Sequence, residues 1–412
     1  MQLYDKIIDL DRLEMTLLEL CYEGSGVSKK EFENINLEQM QAELVTGTFK
    51  FSAPKYLSNE KRKYSSFGLP ERLITKMLFS DLADILEPIF INNLFSHRKN
   101  KSYKHAIINL QASMQKNLTG SILRMDIAKY YDSIDHKILL SMLEKYVDEK
   151  TINLLQNMLA CFGVNGKGIF SGSSLSNLFG NLYLATFDRL ITENFANSTY
   201  LRFVDDMAVV CKDMKEAKEL KEIAELYLDE KLKLKLSPVK SFLREVNEGC
   251  VFLGYNIFPN ELFLLENYVA AANEELDSIL LGKSRLTNEQ IKTKVKNVKA
   301  RLKNTCETTL QAKVEKIYQI LKMGGDFSKL QQQPPINAIT TEKKPILEQQ
   351  SLQSSSLNAC CDYELPTNLQ NYRIEMQIAT EIQSLNILHL TPWEAFLCVK
   401  KWHENILRRE LT

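Results

Sequence analysis

The sequence predicts an α+β protein: a small antiparallel sheet that carries acidic side chains, with helices making up most of the remainder. Three observations lead there. Thr199 to Cys211, TYLRFVDDMAVVC, sets two β-branched and aromatic runs around Val204-Asp205-Asp206, the pattern of a hairpin with adjacent carboxylates at its tip. Ser121 to Asp126, SILRMD, is a short apolar strand ending on a third acid. Elsewhere apolar residues recur at helical spacing, as in Leu10, Leu13, Leu17 and Cys21. Burying unpaired carboxylates costs several kcal/mol, so acids inside an apolar hairpin require a positive partner. Hard divalent cations take oxygen ligands, and a strand end together with a hairpin tip can supply them. The bland alternative is a solvated Asp-Asp turn.

A chain of 412 residues can bury a large core and is expected to hold two or three subdomains. Its 52 basic and 52 acidic residues cancel, so nucleic-acid binding can be argued only from how charge is distributed. The eight cysteines include no CxxC pair, and the five histidines are dispersed without zinc-ligand spacing. The first residues, MQLYDKIIDLDRLEM, are acidic and amphipathic, unlike a signal peptide, and no run reaches membrane-spanning length. These features predict a reduced, cytoplasmic protein without membrane association.

In chain order, residues 1–51 read as helices. Residues 49–105 hold a concentration of basic side chains, among them Lys61, Lys63, Arg72 and Arg98, the footprint of a phosphate-rich ligand. Tyr130 and Tyr131 open an amphipathic helix through Ile138, Leu139, Met142 and Leu143, so one tyrosine faces inward. Gly168 to Leu184 reads as a glycine-containing turn and then a helix. In it Gly172 permits close backbone approach, and Ser173, Ser174 and Ser176 leave room for a nucleotide or template base. Met214 to Leu228 reads as a helix covering the sheet. Asn267 to Lys322 is helical and basic, with Lys292, Lys296, Lys299 and Lys303 spaced to share one face. Residues 326–357 are rich in Gln, Ser and Pro and read as a linker. Thr391-Pro392-Trp393-Glu394 is a capped helix start in a final apolar helix.

Asp126 with Tyr131, then GIFSGSSLSNLFGNLYL, FVDD, LSPVKS and VFLGY, follow the order of the reverse transcriptase palm motifs, and Ser121 to Tyr255 resembles that family. The resemblance implies a right-hand polymerase: N-terminal helices and fingers over 1–120, an antiparallel palm over 121–258, and a helical thumb over 259–325. A linker over 326–358 and a helical C-terminal extension over 359–412 would follow. It implies RNA-directed DNA polymerase activity with two Mg²⁺ ions, Mn²⁺ being a substitute. Asp126, Ile127, Asp205 and Asp206 would be metal ligands, and Lys240 would join the three aspartates in catalysis as proton donor to pyrophosphate. Lys61, Lys63, Arg72, Arg98, Tyr131, Ser171 and Gly172 would meet the incoming dNTP, with Tyr131 screening the sugar position. Phe252, Leu253 and Gly254 would grip the primer, and Lys292, Lys296, Lys299 and Lys303 would follow the duplex backbone.

The chain departs from the family at Phe203 for Tyr, Ser171 for Gln, Asn177 for Pro, and in the KNK after Arg98. SGSSLSNLFGN also loosely resembles the second palm motif of RNA-dependent RNA polymerases, for which Asp132 would be the second acid. The altered second motif and the extra C-terminus look more like abortive-infection and other phage-defence reverse transcriptases. That implies a non-coding RNA template, a DNA product or primer, and a homo-oligomer or accessory defence protein. Template-independent or protein-primed DNA synthesis, RNA synthesis, and a non-enzymatic RNA-binding module are the alternatives.

Overall fold

The computed structural model describes residues 2–22, 29–59, 62–170, 172–322 and 325. All belong to one unit that ends at Gln333. The expected linker and C-terminal extension, and the Thr391 helix start, lie outside the described residues.

The strands are β1 (Lys55–Asn59), β2 (Arg62–Ser66), β3 (Ser121–Asp126), β4 (Thr199–Phe203), β5 (Asp206–Cys211), β6 (Phe242–Glu245), β7 (Cys250–Phe252), β8 (Tyr255–Ile257) and β9 (Leu262–Leu264). β1 and β2 form a separate hairpin, followed by the helix Leu69–Leu86 with Pro70 in its first turn. The central sheet has the order β4-β5-β3-β6, antiparallel throughout. The helices Tyr103–Lys116 and Met214–Leu232 pack against it. The α+β class read from the sequence is therefore the observed one, and the two strands that carry the acids are neighbours.

Two expectations are corrected. The helix opened by Tyr130 stops after one turn at Ser133, because Ile134 is extended and the Asp135 carboxylate caps a new helix, His136–Leu143, through the amides of Lys137 and Ile138. The boundary at 258/259 cuts through a sheet. β7 and β8 are joined by Leu253-Gly254, and β9 pairs with β8, so the small sheet runs past it. Both turn residues are left-handed, at φ 50° and 86°, as a two-residue hairpin of this twist requires.

Beyond β9 stand three helices, Glu266–Leu280, Asn288–Leu302 and Thr308–Lys322. Ile291, Val295, Val298 and Leu302 recur at helical spacing and are buried against the other two helices and the small sheet. One apolar core runs from Ile122 and Val210 of the central sheet, through Phe252 and Ile257, to Val314 and Ile317. Among the described residues no helix is long and apolar enough to cross a membrane.

Candidate active site

The sheet register places the acids. Asp126, the last residue of β3, lies directly opposite Asp206, the first of β5. Directly opposed residues share a face, and like charges there repel. Arg124 is two residues before Asp126 and therefore on that face. Its Nε and Nη2 donate to Asp206 Oδ1 at 3.1 and 2.8 Å, and its Nη1 donates to the Lys240 carbonyl at 3.0 Å. Burial, with Asp126 and Asp205 adding to it, still holds the Asp206 carboxyl up at about 6 against the pull of Arg124. Asp205 is also pushed above the usual carboxylate range, by burial first and then by the charge of Asp126.

Asp205 is aimed by a strained turn. Val204 has φ 60°, a conformation that a β-branched residue adopts only when its surroundings enforce it. Two hydrogen bonds enforce it here. The Ser96 hydroxyl accepts from the Val204 amide at 2.9 Å, and Arg202 Nη1 donates to the Val204 carbonyl at 2.9 Å. Arg202 is fully buried. Its Nε and Nη2 meet the two oxygens of Asp188 at 2.7 and 2.5 Å, and Nη2 also donates to the Asn181 carbonyl. Tyr200 donates a third hydrogen bond to Asp188 at 2.7 Å. Ser96, Asn181, Asp188 and Arg202 escaped the sequence reading. Only the unusual Arg inside the apolar run YLRFV could have signalled them.

The LSPVKS segment wraps the backbone of Asp126. The Ser237 amide donates to the Asp126 carbonyl at 2.7 Å, and the Ser241 hydroxyl accepts from the Asp126 amide at 3.2 Å. Lys240 Nζ lies 3.1 Å from Asp126 Oδ2, so its ammonium stands where a cation belongs. Ile127, buried at 2 % exposure, continues β3 through a bridge to Leu236.

Among the described residues no group of three or more His, Cys, Asp and Glu side chains is arranged to hold a metal. Of the three aspartates, Asp206 is paired with Arg124 and Asp126 with Lys240. Asp126 and Asp205 nonetheless fit a hard dication. Both offer oxygen, Asp126 disfavours the ionised form of Asp205, and Mg²⁺-like ions need only one or two carboxylates beside water and substrate phosphates.

Tyr130 is the inward tyrosine. It is 3 % exposed, and its hydroxyl donates to the Gly180 carbonyl. A Cβ at Gly180 would stand 3.3 Å from the Tyr130 ring, so a larger residue there would push that ring by a few tenths of an ångström. Tyr131 is half-buried, donates to Asn177 Oδ1 at 2.7 Å, and is pushed up to about 12 by burial and by Asp205. Asp132 is exposed. Ser173 caps the helix Ser174–Tyr183 and bonds Ser176, itself buried, so neither leaves the open space expected of it. Gly172 has φ 108°. Ser171 and Lys61 lie outside the described residues, and Lys63 is placed only by its backbone pairing with Ser58.

The fingers and primer-grip assignments change in detail. Arg72 is half-buried in the first turn of its helix. Arg98 is committed to Glu87 at 2.8 Å and to the carbonyls of Ile91 and Leu94, which makes it a brace of its own loop. Phe252 is fully buried in the core and presents no ring to a ligand. Leu253 is partly buried, and Gly254 has open space where a Cβ would be.

The basic helix is less bare than its sequence suggests, because one acid of its own and two from neighbouring helices pair with its lysines. Lys292 pairs with Glu289, Lys294 with Glu275, and Lys299 with Glu315 while lying over the Tyr318 ring. Lys303 follows the last helical residue in an extended conformation, so the four lysines do not form one helical face. Lys296 and Lys303 are exposed, and a groove of about 180 Å³ beside Lys303 is lined by Lys104, His105, Tyr255 and Asn304.

A strand-end carboxylate beside a hairpin-tip carboxylate, on an antiparallel sheet backed by helices, defines the palm of a nucleotidyl-transferring polymerase. The reverse transcriptase (RNA-dependent DNA polymerase) family matches residues 55–257, and that stretch is a reverse transcriptase domain. By class the match is to an RNA-directed DNA polymerase. The chain is 21 % identical to Protein YkfC of Escherichia coli over 271 residues, 54 % of this chain and 71 % of that protein. It is 26 % identical to the putative COX1/OXI3 intron 1 protein of Saccharomyces cerevisiae over 195 residues, 42 % of this chain but 22 % of that protein. Apo telomerase from Candida tropicalis is similar at a TM-score of 0.43 and 14 % identity, over 68 % of this chain and 62 % of that one. A domain of this family implies divalent-metal dependence.

Proposed function

We propose that the chain copies RNA into DNA by two-metal phosphoryl transfer from dNTPs. The observation that carries this reading is the convergence of Asp126 and Asp205 beside Tyr131. In the step, a primer 3′-oxygen loses its proton and bonds the α-phosphorus, the bond to the β-phosphate oxygen breaks, and pyrophosphate leaves. Two Mg²⁺ ions, when bound, would lower the pKa of the 3′-hydroxyl and neutralise charge on the phosphates. Asp126 and Asp205, with the backbone of Ile127 next to Asp126, would supply the oxygen ligands. Asp206 contributes less because Arg124 already engages it. Lys240, whose Nζ lies 3.1 Å from Asp126 Oδ2, is the cation at the acids available to donate a proton to the leaving group. The Tyr131 ring would clash with a 2′-hydroxyl and so select dNTPs. By resemblance to the family, Ser171 and Gly172 are the residues assigned to the base, and Lys61, Lys63 and Arg72 the cations assigned to the triphosphate.

The departures at Ser171 and Asn177 support a phage-defence role in which a dedicated non-coding RNA is the template, with an oligomer or accessory protein completing the assembly. Sequencing the nucleic acid that copurifies with the protein, before and after incubation with dNTPs, tests this. New DNA complementary to a single bound RNA is the expected result. Copurified RNA with no DNA made from it would leave only an RNA-binding module.

For the duplex, Lys296 in the basic helix and Lys303 just past its end are the two of the four expected lysines without an acidic partner among the described residues. Lys296→Gln and Lys303→Gln should each flatten the slope of log affinity against log salt by about 0.9. Lys292→Gln and Lys299→Gln should change it little, their charges being matched already. Equal slopes in all four variants would mean that this helix does not follow a phosphate backbone.

A further inference from the structure

Tyr131 does not stand alone. Its hydroxyl donates to Asn177 Oδ1 at 2.7 Å, and Asn177 Nδ2 lies 3.3 Å from His97 Nδ1. The chain of donors has one direction. Asn177 accepts through oxygen, so its NH₂ must donate, and His97 Nδ1 must be the unprotonated acceptor. Desolvation lowers the proton affinity of His97, which favours that neutral form.

His97 is itself placed by the fold. The segment Asn93–Ser96 runs parallel along the edge of β4: the Asn93 carbonyl accepts from the Arg202 amide, and the Phe95 amide donates to the Arg202 carbonyl. That stitching delivers Ser96 to the catalytic turn and, one residue later, His97 to Asn177. His97 holds a left-handed backbone at φ 54°, a conformation that costs free energy in a residue other than glycine. Asn177 belongs to the helix Ser174–Tyr183, whose cap and buried face fix it in turn.

We propose that Asn177, held by His97, pins the Tyr131 phenol and so sets how strictly the site excludes ribonucleotides. Asn177 and His97 are then positioning residues for sugar selection. The inference rests on Tyr131 being the sugar screen. A ring anchored only through its own torsions can swing away from a 2′-hydroxyl, whereas one whose hydroxyl is bonded to a fixed helix must break that bond first. Proline, the residue the family often has at position 177, has no side-chain acceptor, so this brace depends on the asparagine.

The test is single-nucleotide primer extension, reading the ratio of kcat/KM for a dNTP to that for the matching rNTP. Tyr131→Ala should collapse the ratio; if it does not, the sugar-screen reading fails, whatever Asn177 does. Given that collapse, Tyr131→Phe, Asn177→Leu and His97→Asn should each lower the ratio by about 2- to 10-fold, the worth of one neutral hydrogen bond. His97→Asn suits the left-handed backbone while shortening the reach. The decisive measurement is the double variant Tyr131→Phe/Asn177→Leu. If the two act through one hydrogen bond, it discriminates no worse than either single variant. Additive losses would mean that Asn177 meets the nucleotide directly, and an unchanged ratio in Asn177→Leu would mean that the bond has no part in selection. Either result overturns the proposal.

Discussion

Asp205→Asn and Asp126→Asn should each abolish nucleotide addition, by more than about 1,000-fold, because several kcal/mol of charge stabilisation at the reacting phosphate disappear with a metal ligand. Asp206→Asn should fall well short of that loss, since its carboxylate is held by Arg124 and titrates near 6, outside the ready metal set. Folding supplies a second readout with the opposite sign. The Asp205 carboxyl is raised in the folded chain, so protonating it favours folding; that stability is complete below the unfolded value and is lost as pH rises through the folded one. In EDTA at about pH 8 the wild type therefore carries an unfavourable ionised carboxylate that Asp205→Asn lacks. The variant should melt higher than the wild type there, and the gap should close as pH falls toward about 4. Primer extension with Mg²⁺ and melting in EDTA check both halves. Normal synthesis by Asp205→Asn or Asp126→Asn would remove the polymerase reading altogether.

The legible parts of this protein are those whose chemistry is written in one local stretch. A hairpin with acids at its tip and a strand ending in an acid announce themselves by alternation, and the sheet does place Asp126 opposite Asp206. Tyr130 and Tyr131 signal by adjacency that one points inward. What the sequence hides is pairing between distant segments. Arg124 could have been set on the face of Asp126 from the two-residue period of a strand, yet its choice of Asp206 depends on register with β5. Lys299 looks unopposed within its own helix because Glu315 arrives from another, whereas Glu289, three residues before Lys292 in the same helix, is legible in the sequence. Phe252 has the composition of a ligand-facing aromatic, but alternation along β7 turns it into the core, and no spacing rule says which face of a three-residue strand is wet. Arg98 is a cation in a basic stretch whose partners, two backbone carbonyls and Glu87, are visible only once the loop is folded.

The buried pair under the Val204 turn carries the other large expectation. Asp188 and Arg202 are 0 to 1 % exposed, and Arg202 spends its remaining donors on the Asn181 and Val204 carbonyls. Removing one member leaves the other charged, buried and unpaired, so Asp188→Ala should cost about 3–5 kcal/mol of stability in urea denaturation. Tyr200 then also loses the acceptor for its hydroxyl. Replacing both charges by apolar residues of similar volume, Asp188→Leu with Arg202→Met, removes the uncompensated charge and should recover most of that loss. Activity should not recover with it. Without the guanidinium, nothing holds the Val204 carbonyl, and a β-branched residue at φ 60° relaxes out of the left-handed region, carrying Asp205 with it. A displacement of about 1 Å at a reacting centre is worth on the order of 100-fold in rate. The double variant should therefore be folded and slow, with its defect in kcat. If it extends primers at the wild-type rate, Arg202 serves stability alone, and the turn that presents Asp205 is held by Ser96 without it.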